Sequence, residues 1–252
     1  MTQHILQGRT EDEVLWFQRR SFLSAAAAWT AMGGASAAHA QQRSNIVELQ
    51  GDAQVNGSRL TPQTIIQTGD RLETGPGSNL IFVVGNASFQ VRQNTRFTVE
   101  RGATLNAVSV LRLLTGAIAS VWGKGSNRQI VTPTLTAGIR GTGVYTEVRP
   151  QQNFRTYFCN CYGTVDVAAG TDRALSRAEY HQSFWGEAAP VNGKLLTPAG
   201  AINHTDEELE VLARLVDQRT AWQIAGKKGV YDGKGYMDAA PTNVHPAATP
   251  PR

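Results

Sequence analysis

Beyond its first forty residues the chain has no apolar run approaching the roughly 18 residues a membrane-spanning helix needs, so the remainder is expected to be soluble. No phosphate-binding G-x-x-x-x-G-K-[ST] loop occurs, and Gly123-Lys124-Gly125 is glycine-rich without that spacing. There is no G-x-S-x-G, no H-E-x-x-H and no G-x-G-x-x-G set between a strand and a helix. The carboxylates are too scattered to nominate an acid–base pair, and no enzymatic activity is expected. Charge is sparse at 17%, and the net +4 is too diffuse to argue for nucleic-acid binding. Cysteine is nearly absent: there are two, both within Phe158-Cys159-Asn160-Cys161-Tyr162.

What is present points to β structure. The chain has 252 residues, 41% of them apolar, enough for one large or two small domains. Its 25 glycines favour frequent turns. Residues 41–201 read as short strands rich in Val, Ile, Leu, Phe and Thr, separated by Gly, Asn and Pro. Strand–Gly–strand units centre on Gly51, Gly85, Gly116 and Gly163. Either stacked β-arcs or the chance recurrence of hairpins accounts for them. The expected fold is therefore all-β: a rolled sheet, or an irregular β-solenoid or sandwich of short strands, with one C-terminal helix docked on it.

That helix is placed within residues 202–225. Thr205 and Glu208 have capping-box spacing, three acids fill the first turn, and Leu209, Leu212, Ala213 and Val216 form an apolar stripe. About three turns are predicted, ending near Arg219–Trp222. Residues 226–252 read as a basic, glycine-rich segment followed by a disordered tail.

Residues 1–40 resemble a twin-arginine export signal. Arg19 and Arg20 precede Ser21-Phe22-Leu23, a weakly apolar alanine-rich run follows, and Ala38-His39-Ala40 is an A-x-A pattern. Cleavage is expected after Ala40 and the mature chain in the periplasm.

The cysteines carry the main chemical signal. Residues i and i+2 of a strand share a face, about 6.5–7 Å apart at Cα. That is wide for a disulfide, which prefers about 5.5 Å, but workable for a soft metal. His181 on a following strand and His204 at the helix start would complete a set of two thiolates and one or two imidazoles, which suits Zn²⁺ or copper. Three readings stay open at Cys159 and Cys161: a metal or other soft ligand, a disulfide or redox pair, and two buried free thiols.

Residues 131–145 read V-T-P-T-L-T-A-G-I-R-G-T-G-V-Y. Pro133 belongs at a strand's start or edge. Gly138, Gly141 and Gly143 permit positive φ or close backbone approach, and a kink is expected over residues 137–143 between two strands. Arg140, in the kink, could tie loop carbonyls or a carboxylate. Thr132-Pro133 with Arg140-Gly141-Thr142 resembles the most specific motif of the FecR domain. The resemblance extends over residues 68–167, through Gly69-Asp70…Thr74-Gly75, Leu111–Gly116 and Gly163-Thr164-Val165-Asp166-Val167. It implies an all-β periplasmic domain, which in founding members belongs to a membrane regulator relaying a receptor signal to a sigma factor. This chain is expected to lack the anti-sigma segment and the membrane span. The reading is a non-enzymatic module that binds an envelope protein, glycan or small ligand. The alternatives are a regulatory component with a membrane partner, and a thiol–imidazole metal or redox protein.

Overall fold

The computed structural model describes residues 44–104, 107–125, 128–226 and the backbone of 245–246. The export signal and most of the tail lie outside the described residues. The described strands begin with β1 (Ile46–Gln50), β2 (Ala53–Val55), β3 (Ser58–Arg59), β4 (Arg71–Thr74) and β5 (Asn79–Val84). Then come β6 (Ala87–Val91), β7 (Arg96–Arg101), β8 (Val108–Trp122), β9 (Arg128–Val131) and β10 (Thr136–Arg149). Last are β11 (Arg155–Ala169), β12 (Asp172–Ala178), β13 (Gln182–Val191), β14 (Lys194–Ala199) and β15 (His245–Pro246). All join one sheet, whose main path runs β14-β13-β11-β10-β9-β8-β7-β4-β2-β3. Branches add β1-β5-β6 beside β8, and β12 beside β11. The described pairings are antiparallel except β8 with β9.

Alternation along the strands buries both faces. Val144 and Phe158 point into one apolar cluster, Tyr145, Tyr157 and Cys159 into the other. The first cluster gathers Phe82, Phe89, Phe97 and Trp122 with Phe158, Phe184 and Leu196. These residues come from β5, β6, β7, β8, β11, β13 and β14. Phe82 stacks on Phe89 at 4.9 Å, and Phe89 meets Trp122 edge-on at 5.2 Å. Helices α1 (Asp206–Leu215) and α2 (Ala221–Ala225) cover the opposite face. No helix among the described residues is long and apolar enough to cross a membrane.

Strands expected to be short fuse into long ones. β8 runs unbroken through Gly116, and β11 through Gly163. Thr164 onward therefore continues the cysteine strand instead of turning back beside it. Residues 137–143 likewise make a bulge within one strand, not a break between two. The register of β10 with β11 slips between Arg140 and Val144, where Gly141 (φ +69°) faces Gly163 (φ +101°). A Cβ on Gly163 would lie 2.6 Å from Thr142 Cγ2 and 2.8 Å from the Gly141 carbonyl oxygen. At this bend the hairpin changes neighbours. β10 passes from β9 to β8, and β11 passes from β13 to β12. Thr132 Oγ1 accepts from Leu135 N in the turn that exposes Pro133. Arg140 pairs with Asp166 at 2.6 Å on the surface, and Thr142 is fully buried.

The three motif glycines should separate on substitution. Gly138 has an ordinary φ, and its added Cβ would meet Asp166 Cβ at 3.5 Å, so Gly138→Ala should be neutral or stabilise by about 0.4–1 kcal/mol. Gly141→Val should cost at least about 1–3 kcal/mol because its positive φ is hostile to a β-branched residue. Gly143→Ala should destabilise too, since the new methyl collides with the Tyr162 ring. Urea midpoints that fail to place Gly138→Ala above the other two would contradict this.

The C-terminal region also departs from expectation. α1 stops at Leu215, with Asp217 at φ +55° and the Gln218 N–H returning to the Ala213 carbonyl. A second capping box, Thr220 with Gln223, starts α2 and places Trp222 there. His245–Pro246, expected within a disordered tail, pairs with β12.

Candidate metal centre

Cys159 and Cys161 lie on β11 just before the Gly163 bend, on the face that α1 and α2 cover. His181 was expected within a strand, but occupies the turn between β12 and β13 at φ +45°, its N–H bonded to the Cys161 carbonyl at 2.9 Å. The turn sits there because β11 exchanges β13 for β12 at this point. His204 directly precedes Thr205, the N-cap of α1. The four side chains are 0–1% exposed, and one ligand atom from each lies within 4.8 Å of all the others.

Three of the six ligand-atom separations match the edges of a zinc tetrahedron, and all six lie within 4.8 Å. Ordinary Zn–S and Zn–N bond lengths imply edges of about 3.8 Å for S···S, about 3.5 Å for S···N and about 3.3 Å for N···N. The two sulfurs are 3.8 Å apart, Cys159 Sγ is 3.4 Å from His181 Nδ1, and His181 Nδ1 is 3.2 Å from His204 Nε2. A disulfide bond is about 2.05 Å long, and both cysteines here are free thiols.

Outer hydrogen bonds set the ring orientations. His181 Nε2 lies 2.9 Å from Asp206 Oδ1, and His204 Nδ1 lies 2.6 Å from the Ile202 carbonyl oxygen. Carboxylate and carbonyl oxygens only accept, so each ring donates outward. In neutral rings, the inward nitrogens His181 Nδ1 and His204 Nε2 then both present lone pairs, and they face each other. Two facing lone pairs need a cation or a proton between them. Metal-bound histidines characteristically donate their other N–H in this way.

Electrostatics agree in sign. Burial pushes the Cys159 thiol up, but the Cys161 thiol and both imidazoles overcome this and hold it well below its ordinary value. Cys161 is driven up, first by burial and then by Cys159. Burial draws His181 down, yet Cys159 and Asp206 raise it to about 9. The cluster therefore favours positive charge beside the Cys159 sulfur.

Sequence reasoning named the four inner residues and missed those around them. Asp206 also accepts from the Tyr180 hydroxyl at 2.8 Å, and nothing in the sequence separates it from Glu207 and Glu208. Trp222 stacks on His181 at 5.5 Å and 19°, and Tyr145 on His204 at 4.8 Å and 13°. Arg92, 3% exposed, donates to both oxygens of Glu208 at 2.7 Å and so ties β6's end to α1. A cleft of about 510 Å³ is lined among others by Arg92, Tyr145, Glu147, Arg149, Gln152 and Asn203.

No protein-family model matches the chain, and no curated protein matches it. Among solved structures it is similar to two described as a "putative anti-sigma factor" from Parabacteroides distasonis ATCC 8503, each at 9% identity and a TM-score of 0.42. One similarity covers 54% of this chain and 61% of the other, and the second covers 71% and 86%.

Proposed function

We propose that the chain is an exported, non-enzymatic β module of the FecR type whose defining chemistry is a buried Cys₂His₂ metal centre. The observation that carries this is the convergence of four buried thiol and imidazole ligand atoms within 4.8 Å of one another, with both imidazoles turned inward by outer hydrogen bonds. Zn²⁺ is the ion of choice. Two thiolates neutralise a divalent ion, whereas Cu⁺ would leave net negative charge buried beside Asp206. Four protein ligands complete a tetrahedron and leave no open position for a substrate, so the centre is structural or regulatory, not catalytic. Loading in the cytoplasm before export of the folded protein fits the twin-arginine signal.

Native mass spectrometry of the exported protein purified from periplasm should find one bound zinc, absent from the Cys159→Ser, Cys161→Ser double variant. A metal-free parent, whether two mass units lighter than its reduced form or with both thiols titrating only after unfolding, would overturn the assignment. Asp206→Asn should weaken zinc about 10–100-fold in chelator competition, because it loosens the orientation of His181. Unchanged affinity would deny Asp206 that role.

The cleft lined by Tyr145, Glu147 and Asn203 favours a second, compatible role in binding an envelope protein, glycan or small ligand. Its lining of amides and of both charge signs suits such a ligand. Pull-down from periplasmic extract, compared between the parent and a Gln152→Trp variant that fills the cleft, tests it: retention that the variant does not reduce would count against the cleft.

A further inference from the structure

All four ligand side chains are sealed from water, so an ion enters or leaves only if part of the protein moves. β11 is held on both sides by ladders with β10, β13 and β12. The turn carrying His181 is closed by its own backbone bond to Cys161. The helical segment is attached differently. Neither α1 nor α2 takes part in a strand ladder, and side chains hold them. Leu209, Leu212 and Ala213 face a sheet surface to which β8 contributes only Ala117, Ala119 and Val121. Ser88 Oγ donates to the Leu212 carbonyl, and Arg92 grips Glu208. α2 supplies the cover proper. Trp222 lies flat on His181, meets the rings of Tyr162 and Tyr180 edge-on at 5.5 Å each, and is bound to α1 by its indole N–H to Glu210 at 2.7 Å.

Resting on the metal reading above, we infer that α1 and α2 form a lid over the centre which the bound ion itself locks. His204 stands at the lid's hinge, while Cys159, Cys161 and His181 belong to the sheet. An ion bound to all four joins hinge to sheet, and Asp206 at the first turn of α1 adds its bond to His181. The coupling is reciprocal: whatever holds the lid closed slows metal loss, and metal loss loosens the lid. The lid thereby converts metal occupancy into the order of residues 206–225.

The experiment uses the full-length, zinc-loaded protein. Hydrogen exchange before and after chelation should show α1 and α2 losing protection by about tenfold or more relative to β10 and β11. Trp222→Ala should still bind one zinc but surrender it to a chelator about tenfold or more faster than the parent. If zinc binds stoichiometrically, yet the helices lose no more protection than β10 and β11, the lid is refuted and the metal reading stands. If no zinc binds, the metal reading itself falls. Should Trp222→Ala fail to fold, the exchange measurement on the parent decides alone.

Discussion

Stripping zinc from the loaded protein should lower its melting temperature by about 8–16 °C. With free zinc a thousandfold above its dissociation constant, binding to the folded state alone contributes about 4 kcal/mol. In a folded unit of this size, each kcal/mol shifts Tm by about 2–4 °C. The folded state holds four ligands drawn from β11, the β12–β13 turn and the start of α1, which only the native chain brings together. An unfolded chain keeps just the two neighbouring thiolates, so competition from that state is weak. The double cysteine variant should melt at the same temperature with and without zinc. A parent indifferent to zinc, or a double variant that responds as the parent does, would exclude the centre as a source of stability.

Glu208→Ala should cost about 3–5 kcal/mol in urea unfolding, because it removes the carboxylate paired with the Arg92 guanidinium at 3% exposure. Arg92 also donates to the Asn203 carbonyl at 3.2 Å and lies 5.7 Å from the Tyr145 ring, and neither of these contacts replaces a carboxylate. The variant also loses half of the capping box at Thr205, where Glu208 Oε2 accepts from the N–H at 3.1 Å. Replacing both partners with apolar residues, Arg92→Met with Glu208→Leu, should recover much of the loss, since no charge is then stranded. A single variant within about 1 kcal/mol of the parent would mean that water reaches Arg92 readily.

The all-β class was legible because β-branched and aromatic residues alternate between glycine punctuation marks. The lengths of the strands were not. A glycine between two apolar runs reads alike whether it closes a hairpin, as Gly85 does, or lies within a continuing strand, as Gly116 and Gly163 do. All three have positive φ. The residues of the cluster were legible as well, since the chain has two cysteines, both on one strand, and five histidines. Their meeting depends on the partner exchange along β11 and on where α1 begins, and both are set by tertiary packing. The second helix had a visible signal in Thr220 and Gln223, whose spacing repeats the capping box of Thr205 and Glu208. One long helix was the simpler reading because the apolar stripe runs on past Leu215.

Burial on both faces of β10 and β11 has a consequence for register. A sheet with one wet face punishes a slip of one residue, since the slip turns its apolar side chains into water. Here that penalty is weak: Phe158 faces one cluster and Tyr157 and Cys159 the other, and either side would accept a hydrophobe. Polar groups with fixed partners must discriminate instead. A one-residue slip of β11 would carry Cys159 and Cys161 away from His181 and His204, and would aim Phe158 or Asn160 at the two imidazoles. A metal bound as proposed, only when residues 159 and 161 stand on the helix side, would be a ruler for that alignment, selecting the native pairing among neighbours that hydrophobicity alone would leave nearly degenerate.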